Sequence, residues 1–386
     1  MIGFSYIASS SVIAPILSIH VKDNMKQPIE VVGLVIAIYF IVSTLTKIPL
    51  GVFAGGKKTI SFLLFAFVIY SICPALYPLA ALTDSILMLI FLRALQGLAY
   101  AFIGTASLIL AALTISSVDR DRGMGTYTAS LSLGLLAGPA ITTFSIPLFG
   151  VSNTFYFAGL MGFIGIFAAF FLNRKISSIE KNWQIIDVAM NREALKSKIS
   201  AIMRNKGFGN AFIGIFAFFT LFGVILAYAP LYAKSLSFGD EYISMLFLVY
   251  FIATTVTRLS IGRIIGRISK STLMILSIVF AASLSFALTI RPDNLVFAGI
   301  FASIGAIHGV LFPIGSMLIA EHIQPSRNIL ANSLYMMGID IGQGIAPLIT
   351  AGVAVQLGLK YSFMVSAVIL VAAALMLVWL NIHKQP

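Results

Sequence analysis

The chain has 386 residues, of which 59% are hydrophobic and 10% are charged. A soluble protein of this length needs about a quarter of its residues charged to cover its surface, so the composition excludes a soluble globular protein. The formal net charge of +12 does not indicate a nucleic-acid partner, because the cations lie between hydrophobic runs and not along one face. The single cysteine, Cys73, excludes an intrachain disulfide.

Twelve hydrophobic runs follow one another, separated by charged residues, glycine or proline. Each is close to the length of about 20 residues that crosses about 30 Å of hydrocarbon as an α-helix. Open strands cannot cross lipid with unpaired backbone groups, so the runs predict an all-α polytopic membrane protein. We number the predicted spans 1 to 12: residues 3–20, 31–53, 59–80, 85–114, 124–147, 153–173, 207–231, 241–263, 271–290, 294–320, 328–352 and 359–381.

Lysine and arginine predict the orientation, because they accumulate in short loops on the cytoplasmic side. With the N-terminus inside, the short inner connections and the tail hold ten cations, and the outer loops hold five. We therefore expect a multi-pass protein of the plasma membrane with both termini in the cytoplasm. The inner cations are Lys57, Lys58, Arg120, Arg122, Arg258, Arg263, Arg267, Lys270, Arg327 and Lys384. The outer cations are Lys22, Lys26, Lys234, Arg291 and Lys360.

Residues 174–206 form the longest polar segment, with eight cations against Glu180, Asp187 and Glu193. We predict a basic cytoplasmic linker between an N-terminal six-helix bundle, residues 1–173, and a C-terminal six-helix bundle, residues 207–386. The apolar residues of the segment also allow an amphipathic helix on the inner leaflet, as a lipid-sensing alternative to a plain linker.

A thirteen-residue stretch occurs twice. YFIVSTLTKIPLG, Tyr39 to Gly51, returns 211 residues later as YFIATTVTRLSIG, Tyr250 to Gly262, with six identical positions. In spans 5 and 11, Gly134, Pro139 and Tyr127 correspond to Gly342, Pro347 and Tyr335, all 208 residues apart. Equivalent spans share an orientation, so the chain is predicted to be two parallel six-helix repeats around a central cavity.

Local motifs add a family resemblance. Span 4 reads Leu89-x3-Arg93-x2-Gln96-Gly97, and span 5 reads Gly125-x8-Gly134-x3-Gly138-Pro139. The span 4 motif is similar to the intramembrane arginine motif of the major facilitator superfamily, and the span 5 pattern is similar to that of the antiporters of the family. The segment from Ile307 to Pro347 resembles the sugar-efflux and drug-efflux branches of the same superfamily. The resemblance implies a secondary transporter that works by alternating access. The span 5 pattern departs from the family by ending in Thr142 and Thr143 where two glycines are usual.

The resemblance also implies inner-gate loops after spans 2 and 8. Their residues here are Gly51, Lys57, Lys58, Gly262, Arg263 and Arg267. The family's aspartate is missing from the first loop, and Gly266 takes its place in the second. A gate without that acid would be latched differently or more weakly.

An ionised group inside the hydrocarbon layer costs at least about 2.5 kcal/mol, so each one needs a reason. Arg93 and Asp340 both lie roughly 12 Å from the outer end of their spans. We hypothesise that Asp340 exchanges protons during transport and that Arg93 holds it ionised when the two approach. The alternatives are a static charge pair, or an Arg93 that binds nearby backbone carbonyls and never meets Asp340.

Polar residues on spans 4, 5, 10 and 11 are candidates for lining the cavity and contacting substrate. On span 11, four of them share roughly 140° of arc at about 100° per residue. Helix–helix hydrogen bonding is the alternative, and for the lone histidine a packed structural role is favoured. The candidates are Gln96, Tyr100, Tyr127, His308, Asn332, Tyr335 and Gln343, with Asp340 on the same arc.

The glycines of span 5 are candidates for helix packing, and the family resemblance implies a hinge there. Gly134 and Gly138 would let a neighbouring helix approach closely, Pro139 removes a backbone hydrogen bond, and Gly125 opens the pattern. The cations of the repeated stretches, Lys47 and Arg258, are predicted to snorkel to the inner headgroups, with substrate contact as the alternative.

These observations predict a proton-coupled exporter of a small organic solute. A proton-coupled importer and a facilitative uniporter are alternatives, and a polytopic membrane enzyme or receptor is a distant one. We expect a monomer in the bilayer, with protons and a small-molecule substrate as its partners. Neither a cofactor nor a metal is expected, because the sequence contains no phosphate-binding glycine loop and no Cys/His spacing typical of metal sites. The aromatic-rich spans with one interior acid favour neutral or cationic amphiphiles over polyanions.

Overall fold

The computed structural model describes residues 1–53, 59–114, 120–176, 192–262, 268–324 and 327–382. Every regular element in these ranges is helical. Eleven helical segments within them are long and apolar enough to cross a membrane, and one of these, Gly125–Asn173, is long enough for two passes. The prediction of an all-α protein with twelve spans is therefore confirmed for the described part of the chain.

The helices of the first six spans match the predicted runs closely. Span 1 contains α-helix at Ile2–Ile13 and Leu17–Ile19 and ends in a π-helical turn at His20–Asn24. Span 2 is Ile29–Phe53, span 3 is Thr59–Ala75 with Tyr77–Leu82, and span 4 is Ile86–Thr114. Spans 5 and 6 lie together within Arg120–Ile176.

The later spans are separate helices. Spans 7 and 8 are Lys206–Ser235 and Asp240–Ser260. Span 9 is Lys270–Ala287 with a 3-10 turn at Leu288–Ile290. Spans 10, 11 and 12 are Asn294–His322, Asn328–Gln356 and Lys360–Ile382. A short helix at Arg192–Met203 precedes span 7.

Glycine and proline explain where these helices break. Spans 5 and 6 are separated only at Gly150, whose φ of 76° and ψ of 169° are not helical. This conformation is readily accessible only to glycine. Span 1 is interrupted after Ile13, next to Pro15, which has no backbone N–H to continue the helix. Span 3 is interrupted at Leu76 and restarts with Pro78 in its new first turn, a position that proline favours.

The chain divides into two compact units, Met1–Ala189 with Gly239–Leu248, and Met190–Phe238 with Val249–Pro386. The helix Arg192–Met203 belongs to the second unit, and its Ile202 is buried. The predicted domain bounds, and the cytoplasmic position of the linker, stay predictions.

Each unit uses equivalent helix pairs. In the first unit, span 1 packs on span 5, span 2 on span 4 and span 3 on span 6. In the second, span 7 packs on span 11 and span 9 on span 12. A serine hydroxyl joins spans 3 and 6 and another joins spans 9 and 12. Ser71 donates to Gly159 O and Ser285 donates to Phe363 O, both at 2.7 Å. The repeat seen in the sequence is thus also a repeat of helix contacts.

Candidate functional site

Arg93 is buried within the first unit, with 5% of its surface exposed. Its Nε donates to the backbone carbonyl of Val35 at 3.2 Å, and its Nη1 donates to Gln96 Oε1 at 2.9 Å. The guanidinium carbon lies 4.3 Å from the centre of the Tyr39 ring, a cation–π contact. A charged group is therefore held here by a carbonyl, an amide oxygen and an aromatic face.

Gln96 is fully buried one helical turn after Arg93. Its Oε1 also accepts the hydroxyl of Tyr77 at 2.5 Å, so one oxygen serves two donors. Its Nε2 has no hydrogen-bond partner among the described residues. An unpaired buried donor is costly, by about 1–3 kcal/mol, and therefore calls for an explanation.

Tyrosine rings continue from Arg93 through the first unit. The rings of Tyr39 and Tyr100 lie 5.1 Å apart, and Lys47 Nζ lies 5.7 Å from the centre of the Tyr100 ring. The hydroxyls of Tyr39 and Tyr70 are 3.2 Å apart. Tyr100 and Lys47 are half-buried, so this end of the set is more open than the Arg93 end. Tyr39 is buried and was not among the predicted site residues, although it begins the repeated stretch.

Tyr127 of span 5 is half-buried, and its hydroxyl lies 2.9 Å from that of Ser107 on span 4. This contact joins two spans, as expected for the helix–helix alternative given above.

In the second unit, His308 is enclosed by aromatic rings. Its Nδ1 lies 3.1 Å from the Tyr250 hydroxyl. The ring centres of Phe218, Phe219 and Phe222 lie 5.1–5.5 Å from that of His308. Only 5% of the histidine is exposed. The favoured interpretation of His308 as a packed, hydrogen-bonding residue agrees with these contacts.

Arg258, which is predicted to snorkel to the inner headgroups, lies near the end of span 8. Its guanidinium carbon lies 5.0 Å from the centre of the Phe312 ring, inside the second unit. Tyr335 lies in the same neighbourhood, fully buried, with its hydroxyl donating to the carbonyls of Leu311 at 3.3 Å and Phe312 at 3.2 Å. The aromatic face of Phe312 lies beside the guanidinium, and snorkelling to the inner headgroups stays a prediction.

Asp340 is 1% exposed near the middle of span 11, twelve residues after Asn328 and sixteen before Gln356. Every other carboxylate among the described side chains lies at or next to a helix end. Gln343, one turn away, is also buried, and Asn332 is half-buried. The interior acid predicted from sequence is therefore a buried residue of a membrane-spanning helix.

The two units repeat one contact in particular. A Cβ added at Gly97 would collide with the carbonyl oxygen of Tyr39, and one added at Gly305 would collide with that of Tyr250. This pairing fixes the correspondence of spans 4 and 10 at 208 residues, so that Tyr100 matches His308. The repeated tyrosine packs against Tyr100 in the first unit and against His308 in the second.

The span 5 glycines differ in their surroundings. A Cβ at Gly134 would lie 2.7 Å from Phe4 O, and one at Gly138 would collide with Ser11, so both face span 1 at close range. Gly125 is exposed, and a Cβ there would meet nothing within 4 Å among the described residues. The packing or hinge role of Gly125 therefore stays a prediction. Pro139 is buried within the same helix.

The inner-gate residues are only partly visible. Gly51 lies in the last turn of span 2, and Gly262 is exposed with open space around it among the described residues. Lys57, Lys58, Arg263 and Arg267 lie outside the described residues. No group of three or more His, Cys, Asp or Glu residues that could hold a metal ion occurs in the described ranges.

The sequence profile of the Major Facilitator Superfamily matches residues 1–296 and 211–386, which together cover the chain. The chain belongs to the major facilitator superfamily. It is therefore a multi-pass integral membrane protein and a secondary transporter that binds small solutes, and not an enzyme.

Relatives of this superfamily member are distant. An uncharacterized MFS-type transporter of Methanocaldococcus jannaschii is 24% identical over 368 residues, or 92% of this chain and 90% of the relative. Multidrug resistance protein 2 of Bacillus subtilis is 23% identical over 297 residues, or 75% of this chain and 72% of the relative. The crystal structure of the nucleoside transporter NupG matches with a TM-score of 0.77 at 15% identity, covering 99% of this chain and 98% of that chain. This last similarity confirms the predicted fold.

Proposed function

We propose that this superfamily member exports a small organic solute across the plasma membrane in exchange for protons, by alternating access. The observation that carries the proposal is Asp340, a carboxylate buried in the middle of span 11. A carboxylate at such a depth is costly when ionised, and it is rarely present without a function. A group that alternates between ionised and protonated forms during transport would explain its retention.

Proton coupling requires that the two conformations bind the proton differently. A ligand shifts a conformational equilibrium only by its difference in affinity between the two states. The sequence prediction is that Arg93 approaches Asp340 in one state and stabilises its ionised form, and separates from it in the other. In the described structure Arg93 binds Val35 O and Gln96, so its pairing with Asp340 stays a prediction.

Two observations favour export over import. Gly134, Gly138 and Pro139 keep most of the span 5 pattern that is similar to that of antiporters, and Gly134 and Gly138 lie at close range to span 1. One relative over three quarters of this chain bears the name multidrug resistance protein 2. Thr142 and Thr143 stand where the pattern usually has glycine, and the hydroxyls of both donate to Pro139 O, at 3.0 Å and 2.8 Å. Both threonine hydroxyls thus bond within their own helix, which continues through this departure from the pattern.

Proteoliposomes with an imposed pH gradient test direction and coupling together. Ethidium, lactose and benzoate serve as chemically different probes, each compared with protein-free liposomes. An antiporter that exports will concentrate its solute in an acidic lumen. Concentration in an alkaline lumen would indicate import with protons, and equilibration without concentration would indicate a uniporter. Either of these two outcomes overturns the proposal of proton-coupled export.

Asp340→Asn tests the role of the carboxylate. It should abolish concentration of the solute against its gradient while leaving passive exchange. The matched control is Asp293→Asn, which makes the same chemical change at the N-cap of span 10. There the side chain accepts from Val296 N at 2.9 Å, and asparagine can keep that bond. Full concentrating activity in Asp340→Asn would refute the role of Asp340.

A further inference from the structure

The starting point is the polar pair Arg93 and Gln96 in the first unit. The oxygen of Gln96 is held by Arg93 Nη1 and the Tyr77 hydroxyl, both donors. The amide cannot be reversed without placing its NH₂ group against the guanidinium. The buried Nε2 is therefore the atom without a partner among the described residues.

The second unit acts as an internal control for whether the fold itself requires this pair. With Gly97 matched to Gly305, Arg93 corresponds to Phe301 and Gln96 to Ile304. Phe301 and Ile304 are buried, and Phe301 packs beside Tyr250 with ring centres 6.2 Å apart. Apolar residues therefore satisfy the same helix contact in the second unit. The scaffold does not require an arginine and an amide at these positions.

The groups of this pair that remain available are all hydrogen-bond donors. A guanidinium carries five N–H groups, and the oxygens of Val35 and Gln96 take two of them. Gln96 adds its Nε2, and the guanidinium adds a positive charge. Donors around a cation complement an oxyanion, and a guanidinium fork matches the two oxygens of a carboxylate. The ring of Tyr39 lies beside Arg93, and the ring of Tyr100 lies beside that of Tyr39, so aromatic surface that suits an apolar body extends from the pair.

We propose that Arg93 and Gln96 form a subsite for the carboxylate group of an amphiphilic, singly charged organic acid. This inference takes its ligand to be the transported solute, and so rests on the proposed function in that respect alone. It replaces the expectation of a neutral or cationic substrate, which was based on composition. Gln96 is closed from solvent and Arg93 nearly so, which strengthens a charged hydrogen bond once it forms. Entry then requires the conformational change that alternating access supplies.

Binding to the full chain in nanodiscs tests the subsite without any gradient. The probes are three carboxylates with different bodies, benzoate, indole-3-acetate and octanoate, each compared with its own uncharged amide by calorimetric titration. At least one carboxylate should bind the wild-type protein about 10- to 100-fold more tightly than its amide, the range expected for a hydrogen bond to a charged group. If no carboxylate is preferred over its amide, the proposal is overturned.

Gln96→Glu isolates the unpaired donor. It keeps an oxygen for Tyr77 and Arg93 but puts a second oxygen where Nε2 was. The preference for the carboxylate should be lost, while the control Gln356→Glu, the same change on an exposed residue at the end of span 11, should retain it. An unchanged preference in Gln96→Glu overturns the proposal.

If Gln96→Glu is not recovered as a monodisperse protein, Arg93→Lys replaces it. This variant keeps the charge and loses the two-pronged donor geometry, so the preference should fall about tenfold. An unchanged preference in Arg93→Lys overturns the proposal equally. Because binding is measured without a pH gradient, failure of proton-coupled export in liposomes would leave this result unaffected, and the converse also holds.

Discussion

Replacing Gly134 with alanine should destabilise the first unit. The new Cβ would lie 2.7 Å from Phe4 O, 2.9 Å from Ile7 Cβ and 3.1 Å from Ala8 N. Carbon and oxygen normally approach to about 3.3 Å, and two carbons to about 3.5 Å. Span 1 must therefore move away from span 5 by roughly 0.6 Å.

The cost of that movement is that of an overpacked core, about 1–3 kcal/mol. Alanine also favours the helix over glycine by about 0.8–1 kcal/mol, which would hide part of the loss. Gly125→Ala removes this ambiguity, because Gly125 lies in the same helix with open space around it among the described residues. The free energy of unfolding of Gly134→Ala should therefore be about 1–3 kcal/mol below that of Gly125→Ala.

Cys73 provides the assay. It is the single cysteine of the chain, lies in span 3 of the first unit and is 2% exposed. A thiol-reactive dye therefore reports opening of the first unit as denaturant is raised. Equal unfolding midpoints for Gly134→Ala and Gly125→Ala would show that a methyl group fits between spans 1 and 5 without cost. That result would refute the inference that Gly134 is required for their close approach.

The second unit offers the same comparison. A Cβ at Gly342 would lie 2.7 Å from Phe216 O, whereas Gly352 of the same helix is exposed and meets nothing within 4 Å among the described residues. Gly342→Ala should be less stable than Gly352→Ala by a similar amount, measured by far-UV circular dichroism, since the cysteine lies in the other unit. A loss in one unit only would contradict the equivalence of the two helix pairs.

Two further changes should have smaller effects. Asn205→Ala removes the N-cap of span 7, where Oδ1 accepts from Phe208 N at 3.0 Å, together with the exposed bond from Nδ2 to His322 O at 3.0 Å, and should lower the free energy of unfolding by about 1 kcal/mol. Thr254→Val removes a hydroxyl that donates to Gly305 O at 2.9 Å and should cost about 0.6 kcal/mol, the usual size for hydrogen bonds between membrane helices. Denaturant titration followed by circular dichroism measures the free energy of unfolding of both variants. A loss above about 2 kcal/mol in Thr254→Val would mean that the substitution disturbs more than one hydrogen bond.

The membrane-spanning helices could be predicted because span length and apolar character are properties of the local sequence. Spans 2, 4 and 12 begin and end within a few residues of the predicted runs. The breaks within spans 1 and 3 were not predicted, although Pro15 and Pro78 lie beside them. A proline within a membrane helix is often tolerated, so its presence alone does not predict a break.

The site was predictable only in part. The interior charges Arg93 and Asp340 stand out because any charge in an apolar run is conspicuous. Tyr39 and Tyr250 begin the repeated stretch, but their pairing with Gly97 and Gly305 depends on helix contacts that a hydropathy pattern does not contain. The same is true of Arg258, whose contact with Phe312 on span 10 does not follow from its position near the end of span 8.

The connection between spans 5 and 6 contains a single residue outside helical geometry, Gly150. Leu148 and Phe149 before it are exposed, Val151 and Ser152 after it are half-buried, and all four are helical. Because one residue joins them, the two helices are held close together at this end, and we expect them to move together there. Lengthening this connection by several glycine and serine residues would let each helix tilt independently. The distribution of spectroscopic distances between labels on the joined ends of the two helices should then be broad, in place of the narrow distribution expected for the native connection.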